Sequence, residues 1–464
     1  MPLHAARAPR NSAASPALGA AGLACFLFAG CAFPRLVSRA IPPGPARAES
    51  ISFHGWRHAC RLANGFVAVT SVPQVGGRQL EYSLGSSNFL FLGRGELGCT
   101  LDDHRDRPYR YFGGHFAQLH PEAHWRTVMS SAPPALFMGS YEARVLPAQA
   151  GVAAVEMASP VDLATGTRII RKVELFPNSS RVRLTDTLQN VRLVPQEWGL
   201  HDFVQLKGSA TPSGVMRGNE RPDGSIGLYV PLNPASRFPH GRRHLVSDGT
   251  VGPSSSQWTT SELPGILVLR YRRAFDKVLV DPSLPWIAFV DSATGHVFVQ
   301  KCDVPEKTLF TAGRPVIDYP FIELQSFGPD ARLGPGETAT LTQEWYAASC
   351  GGPVVDVTAA GVVASPLSLL RDGGTTWAAG KFGVFYVGRA ELVFRGPGDA
   401  ELARLDVGAV GPLGPLVLHR VVDLPPKTAQ IVLEITAITG EPVGDLGRIL
   451  LSSGVPPSGG PGQQ

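Results

Sequence analysis

Alternation of apolar and polar residues dominates the chain between residues 64 and 301. TRIIRKVELF (167–176) and RVRLTDTLQN (181–190) place apolar side chains at about every second position, which is the period of a strand with one buried face. Turn-forming residues separate such segments, and no long helical period competes with them. The pattern predicts antiparallel sheets packed on each other. Further strand segments are YEARVL (141–146), GILVLRYRR (265–273), WIAFVD (286–291) and HVFVQK (296–301).

The composition agrees with many short strands and divides the chain. The 464 residues include 52 Gly and 41 Pro, a high content of turn formers that suits short strands joined by turns. A break at SCGGP (349–353) separates a second β-rich unit, 354–452, whose size fits a small immunoglobulin-like β-domain. The Gly- and Pro-rich tail, 453–464, is predicted to be disordered.

The positive charge of the chain is concentrated at its beginning. Residues 1–48 hold five arginines and no acidic residue, whereas the whole chain carries a net charge of +4. No clustered basic surface is left for nucleic acid, so we expect no nucleic-acid partner. The basic start and the short apolar segment 18–33 predict a signal or lipoprotein-like leader.

The leader predicts export to the periplasm or outer envelope. LFAGC (27–31) resembles a bacterial lipobox, which would allow a lipid anchor at Cys31. The alternatives are a retained N-terminal anchor or an unstructured leader. In either case, we expect membrane contact only through this leader or its lipid.

The remaining cysteines and histidines do not predict a metal site. Two disulfides or four buried thiols are equally compatible with the four cysteines after the leader. No CxxC motif occurs, and the histidines of HFAQLHPEAHW (115–125) do not have the spacing of HExxH. We therefore expect no metal and no cofactor. The four cysteines are Cys60, Cys99, Cys302 and Cys350.

Three short motifs, and one segment that follows the last of them, resemble one family in type and in order along the chain. HDFVQLKG (201–208) is similar to the HxYFNLxG segment of the galactose mutarotase-like superfamily, the aldose 1-epimerases. IELQSFGPDA (322–331) is similar to the family's LETQxxPDA segment, with its Pro and Asp one residue late. GHFAQL (114–119) weakly resembles GRYANR, and LGPGET (333–338) resembles LxPGExY. The resemblance covers roughly residues 60–347.

The resemblance implies a fold and a reaction. Residues 55–347 would form an antiparallel β-supersandwich that holds a sugar on a concave face. Glu323 would take the proton of the anomeric hydroxyl while His201 gives one to the ring oxygen, so that the ring opens and recloses as the other anomer. This is general acid–base catalysis by an isomerase without a cofactor.

The resemblance also implies substrate contacts. Gln325 matches the family's motif, and Trp198 just before His201 could stack on a sugar ring or pack in the core. His115 stands where the family has an arginine, and we expect it at the rim of the sugar pocket. A histidine does not replace the fixed fork of donors that arginine offers to hydroxyl groups.

Three hypotheses on function follow. The first is an exported carbohydrate-active enzyme of the aldose 1-epimerase type. The second is a carbohydrate-binding protein without catalysis, and the third is a structural envelope protein on the same fold, since fold does not settle function. In the last case, His201 and Glu323 are ordinary polar residues of a β-surface.

Overall fold

The structure is a computed structural model, and it describes residues 44–104, 110–126, 132–216, 224–245, 257–272, 277–302, 310–313 and 321–451. These residues belong to one compact unit, Ile41–Gln464. Cys31 and the predicted disordered tail lie outside the described residues. Within the described ranges, no helix has the length and apolar character needed to cross a membrane.

Strands make up most of the described chain. The first twelve are β1 Arg47–Phe53, β2 Trp56–Ala63, β3 Val67–Val72, β4 Arg78–Leu84, β5 Ser87–Asn88, β6 Leu92–Gly93, β7 Gly114–His120, β8 Glu142–Gln149, β9 Val152–Ala158, β10 Thr167–Leu175, β11 Val182–Asn190 and β12 Gln196–Lys207. The next twelve are β13 Val215–Met216, β14 Ile226–Pro231, β15 Arg242–Leu245, β16 Trp258–Thr259, β17 Ile266–Arg270, β18 Lys277–Val280, β19 Trp286–Asp291, β20 His296–Cys302, β21 Phe310–Gly313, β22 Phe321–Phe327, β23 Ala331–Leu333 and β24 Thr338–Ser349.

The last strands follow the composition break. They are β25 Asp356–Val357, β26 Gly361–Asp372, β27 Thr375–Val384, β28 Gly388–Arg395, β29 Glu401–Val410, β30 Pro415–Val421, β31 Gln430–Ala437 and β32 Pro442–Leu450. The helices are short: α1 Glu122–Arg126, α2 Pro134–Phe137 and the 3-10 turns Pro73–Val75, Arg94–Glu96, Leu101–His104, Pro239–Gly241 and Pro397–Asp399. The prediction of an all-β fold is confirmed.

Alternation in the sequence becomes alternation of burial in the strands. Along β10 and β11, every second side chain is buried and the ones between are half-buried. Successive side chains of a strand point to opposite faces, so each apolar set faces the core. This is the physical reason why the segments 167–176 and 181–190 form neighbouring strands.

Two large sheets face each other. The first sheet runs β1-β2-β3-β4-β7-β12-β22-β21-β18-β15, with β5 on β4 and β23 on β12. The second sheet runs β16-β17-β14-β19-β20-β24-β11-β10-β9-β8. Their strand pairs are antiparallel, and one apolar core lies between them. This core includes Leu62, Val69, Val204 and Leu324 of the first sheet and Val155, Val173, Leu184 and Trp345 of the second.

The residues after the break form two four-stranded sheets, β25-β26-β27-β30 and β29-β28-β31-β32. They enclose a core of their own and also cover the second sheet on the side away from the first. Phe385 stacks on Tyr346 with ring centroids 4.6 Å apart, and Lys301 Nζ donates to the Thr358 carbonyl at 2.7 Å. Whether 55–347 and 354–452 act as separate domains stays a prediction.

The four cysteines of the described chain are free thiols. Cys60, Cys302 and Cys350 are buried, and Cys99 is half-buried. Of the two alternatives left open by the sequence, the structure has the thiols, one of them only half-buried. Burial raises the pKa of the Cys60 and Cys350 thiols, which makes them less reactive.

Candidate functional site

The three strands that carry the sequence motifs lie side by side in the first sheet. β12 pairs with β7 on one side and with β22 on the other. In the register, His201 lies opposite Phe327, and Gln205 lies opposite Glu323. Directly opposite residues of an antiparallel pair share a face. The motifs 201–208 and 322–331 therefore meet in the fold, as the resemblance implies.

The side chains of His201 and Glu323 lie on the same face of the first sheet. Val204 and Leu324, which alternate with them, are buried in the core between the two sheets. The residues between them must therefore point away from the second sheet. We call this side the outer face; on β12 and β22 it carries His201, Phe203, Gln205, Glu323, Gln325 and Phe327.

Glu323 is a buried carboxyl group held by two amides. Gln205 Nε2 donates to its Oε2 at 2.8 Å, and Gln325 Nε2 donates to its Oε1 at 2.5 Å. Burial raises the pKa of Glu323; the two amides, then the charges of Lys277 and Arg78, oppose this shift. A carboxyl group with a raised pKa is a stronger base once it is ionised.

His201 is enclosed by aromatic rings. It stacks on Phe327 with ring centroids 3.9 Å apart and tilts against Phe203 at 4.0 Å. Both ring nitrogens are buried, and neither has a hydrogen-bond partner in the described part of the chain. Burial lowers the pKa of His201 well below 6.5, as do the nearby charges of Lys277 and His120, while the Gln325 amide opposes the shift. His201 is therefore neutral near pH 7.

His201 and Glu323 share a face but are not adjacent on it. Their rows in the register are four residues apart, which is about 13 Å along the strands. Gln325 occupies the row between them and hydrogen-bonds Glu323. The glutamate is not among the causes of the His201 pKa shift. The carboxylate thus does not promote protonation of the imidazole, contrary to what a close acid–base pair would require.

The structure places His115 on the opposite face of the sheet. It lies opposite Val204 in the register and is fully buried between the two sheets. Its Nδ1 contacts Gln79 Oε1 and its Nε2 contacts Asp202 Oδ1. The Gln79 amide nitrogen donates to Gly77 and Ser71, so Gln79 Oε1 accepts the Nδ1 proton. The structure therefore does not bring His115 to the face shared by His201 and Glu323.

A cluster of polar side chains surrounds His115 between the sheets. Gln343 Nε2 donates to Asp202 Oδ1 at 2.6 Å, and Gln300 Nε2 donates to Asp202 Oδ2 at 3.3 Å. We call this set the inter-sheet cluster: Gln79, His115, Asp202, Gln300 and Gln343. It was not apparent from the sequence, because its members come from strands far apart along the chain.

Three ligand atoms beside this cluster could hold a cation. One atom each of His115, Asp186 and Asp202 lies within 4.8 Å of the others. However, Arg171 Nε donates to Asp186 Oδ1 at 2.7 Å, and Gln343 donates to Asp202. These donors neutralise or occupy the carboxylates, so the set is better explained as a hydrogen-bonded core than as a metal centre.

Trp198 and Gln325 differ in their relation to the site. Gln325 lies on the outer face beside Glu323. Trp198 is buried at the start of β12, where its Nε1 donates to Gln196 Oε1 at 3.0 Å and its ring contacts His124 edge-on. None of these described contacts is with His201 or Glu323, which is compatible with a packing role.

Two positively charged side chains of the outer face, Arg78 and Lys277, were not identified from the sequence. Arg78 stacks its guanidinium over the Phe116 ring at 3.9 Å and donates to the Gly113 carbonyl at 3.0 Å. Lys277, at the start of β18, affects the pKa of both Glu323 and His201. Only strand pairing places these residues near Glu323, so no local sequence signal could have identified them.

Comparisons with known proteins give similarity of structure alone. Neither the protein-family models nor the curated proteins contain a match to the sequence. Among solved structures, the chain is similar to a TPR-domain containing protein from Parabacteroides distasonis, at TM-score 0.44 and 12% identity over 64% of this chain and 47% of that one. It thus spans about half the length of that protein.

Two further solved structures are galactose mutarotase-like proteins. The one from Clostridium acetobutylicum aligns at TM-score 0.44 and 12% identity, over 66% of this chain and 98% of that chain. The one from Lactobacillus casei aligns at TM-score 0.40 and 11% identity, over 62% and 99%. The chain is therefore similar to galactose mutarotase-like structures, as its motifs are, but likenesses this distant carry no argument about activity.

Proposed function

We propose that this protein binds a carbohydrate on the outer face of the first sheet and interconverts its anomers, with Glu323 as the general base. The supporting observation is a buried carboxyl group beside polar atoms that have no protein partner. Within the described residues, these atoms are Gln205 Oε1 and Gln325 Oε1. Farther along the outer face, both nitrogens of His201 lie outside hydrogen-bond geometry, although the Gln325 amide is near enough to affect the His201 pKa. Buried polar atoms are rarely left unpaired, and hydroxyl groups of a sugar would pair them.

The chemistry suits a carboxyl group in this setting. To open the ring, a base must remove the proton of the anomeric hydroxyl while the ring oxygen gains one. The raised pKa of Glu323 moves its basicity towards neutral pH, where a general base works best. The family resemblance implies His201 as the acid, but the neutral imidazole is a much weaker proton donor than the imidazolium. We therefore give His201 the role of a ligand contact.

The test is anomerisation of free aldoses by the wild type and by Glu323→Gln. Polarimetry of freshly dissolved α-D-glucose and α-D-galactose measures the rate. The amide keeps the shape but removes the base, so the rate should fall by two or more orders of magnitude while sugar affinity changes little. Glu323 must be ionised to act as a base. As the pH is lowered, the wild-type rate should therefore begin to fall at a pH above the usual titration range of a glutamate.

A second function, sugar binding without turnover, has its own support. His201 is held neutral and Gln325 separates it from Glu323, so the acid–base pair of the resemblance is not assembled as such. A wild type that binds an aldose but does not accelerate its anomerisation would favour this function. A wild type that binds no carbohydrate would leave the structural envelope protein.

We also propose that the protein is exported through its leader and attached at Cys31. The support is the basic start, the apolar segment 18–33 and the lipobox-like LFAGC. Intact-mass analysis of protein from its native host should show the loss of about the first 30 residues or a lipid adduct. A soluble cytoplasmic protein that keeps Met1 would contradict export.

A further inference from the structure

We propose that Lys277 is the proton donor that works opposite Glu323, across the strand position of Gly313. This inference rests on the proposed function and names the acid that the reaction needs. It differs from the pair implied by the family resemblance, in which His201 is the acid. Three kinds of observation support it: the register of three strands, the charges around Glu323, and the protonation state of His201.

The register aligns the two residues in one row. Glu323 lies opposite Gly313 in the β22–β21 pair, and Gly313 lies opposite Lys277 in the β21–β18 pair. Val278 and Val280 are buried in the core between the two sheets, so Lys277 must point to the outer face with Glu323. The row is therefore a carboxyl group, a glycine and an ammonium group on one surface.

The residue between them in the row is a glycine. Neighbouring strands are 4.7–4.9 Å apart, so two spacings separate Glu323 from Lys277 by about 9.5 Å at the backbone. Gly313 has no side chain to fill the interval. On the other side of the row, Gln205 lies opposite Gly114, another position without a side chain. A ring lying over Gly313 would touch the carboxyl group with one edge and the ammonium with the other.

The electrostatics agree with this placement. The charge of Lys277 lowers the pKa of both Glu323 and His201. Lys277 is half-buried, and among the described residues no carboxylate lies within ion-pair distance of it. Lys207, by contrast, is fully buried and paired with Asp291 at 2.9 Å. Within the described residues, the Lys277 ammonium thus has no carboxylate partner, whereas that of Lys207 is paired with Asp291 in the core.

The step balances with these two groups alone. The Glu323 carboxylate takes the proton from the anomeric hydroxyl, a carbon–oxygen double bond forms at that carbon, and its bond to the ring oxygen breaks. The electron pair goes to the ring oxygen, which receives a proton from the Lys277 ammonium. After rotation about the bond next to the aldehyde, the hydroxyl attacks again, the Lys277 amine takes back its proton and Glu323 returns the other. Neither oxidant nor cofactor is involved.

His201 does not fit this step as well. It lies four residues along the strand from the Glu323 row and is neutral near pH 7. An acid and a base acting on two oxygens of one carbon must both come within hydrogen-bond reach of that region. Lys277 shares the row with Glu323, whereas His201 lies four residues away along the strands.

The experiment compares Lys277→Met, Lys277→Arg and His201→Asn in the anomerisation assay, with Lys172→Met as the matched control. Lys172 is a partly exposed lysine of the second sheet, paired with Glu174. We expect kcat to fall about 100-fold or more in Lys277→Met, with a smaller change in KM. Lys277→Arg should not restore it, because a guanidinium keeps its charge but cannot give up a proton. The control should be unchanged.

The two substitutions separate a proton donor from a merely structural lysine. Arginine should replace a structural lysine with little loss of kcat, whereas it should not replace a proton donor. Full activity in Lys277→Arg, or a loss in Lys277→Met of less than threefold, would overturn the role of Lys277 while leaving the proposed function intact. A larger loss in His201→Asn than in Lys277→Met would return the acid role to His201. A wild type without turnover would overturn both proposals together.

Discussion

His201 and Asp202 are neighbours in the chain, yet their side chains lie on opposite faces of the first sheet in opposite states of hydrogen bonding. Asp202 accepts hydrogen bonds from Gln343 and Gln300 and contacts His115 Nε2 in the inter-sheet cluster. Both nitrogens of His201 lack a partner within the described residues. Polar groups that satisfy each other hold the sheets together, whereas polar groups left over on the outer face are available to a ligand.

The contrast extends to the two histidines. Both His115 and His201 are buried, so burial alone does not reveal a function. His115 has a polar partner at each nitrogen, whereas the His201 ring stacks on Phe327 and tilts against Phe203. Leaving a buried donor or acceptor unpaired costs about 1–3 kcal/mol. Proteins tolerate such a cost mainly at functional sites.

Asp202→Ala should have the largest effect, and it tests whether the inter-sheet cluster contributes more to stability than the outer face. The variant removes the acceptor shared by Gln343, Gln300 and Ser326 and the carboxylate that His115 Nε2 contacts. We therefore expect a loss of about 3–5 kcal/mol in the free energy of unfolding. Urea denaturation measures it. The control is Gln205→Ala on the outer face, where one donor and one unpaired oxygen disappear together, with less than half that loss. Equal losses would mean that the two faces do not differ as we describe.

Replacing each histidine by phenylalanine should have smaller effects on stability, and the two effects should have opposite signs. His201→Phe fits the aromatic surroundings and removes two unpaired nitrogens, so unfolding at pH 7 should become less favourable by about 1 kcal/mol. His115→Phe should destabilise, because Asp202 and Gln79 lose their partner. Two variants that change stability in the same direction would contradict the comparison.

The stability of the wild type and of His201→Phe can also be compared as a function of pH. In the unfolded chain, His201 is protonated below about pH 6.5. The folded chain resists this protonation because the pKa of His201 is lowered. The contribution of His201 to stability is therefore present above pH 6.5 and is lost as the pH falls. Between pH 7 and pH 5 the wild type should lose at most about 2 kcal/mol through this group, and His201→Phe should lose less.

The sequence predicted the strands better than their partners. Alternation located β10 and β11 nearly to their ends, because period two is a local property that burial enforces. The motifs also placed Glu323 and Gln325 two residues apart, hence on one face. Whether His115 lies on the same face of the sheet as His201 depends on the register between β7 and β12. A shift of one residue exchanges the two faces, and nothing in the local sequence fixes it.

The rest of the site was not predictable for a similar reason. Lys277 and Glu323 are brought into one row by β21, which pairs with both of their strands. Gln343 reaches Asp202 across the space between two sheets. Such contacts depend on strand order and sheet packing, which a single sequence does not specify. The neutral state of His201 follows from burial and neighbouring charges, so it also appears only in three dimensions.

The C-terminal sheets have a consequence for how this chain could have been assembled in evolution. They cover Tyr346 of β24 through Phe385, and β24 also supplies Gln343 to the inter-sheet cluster. A unit that buries an apolar side of its neighbour is not an interchangeable module. Removing it by recombination would expose that side to water and favour aggregation. The two parts are therefore expected to be inherited together, and truncation at the composition break should give an insoluble product.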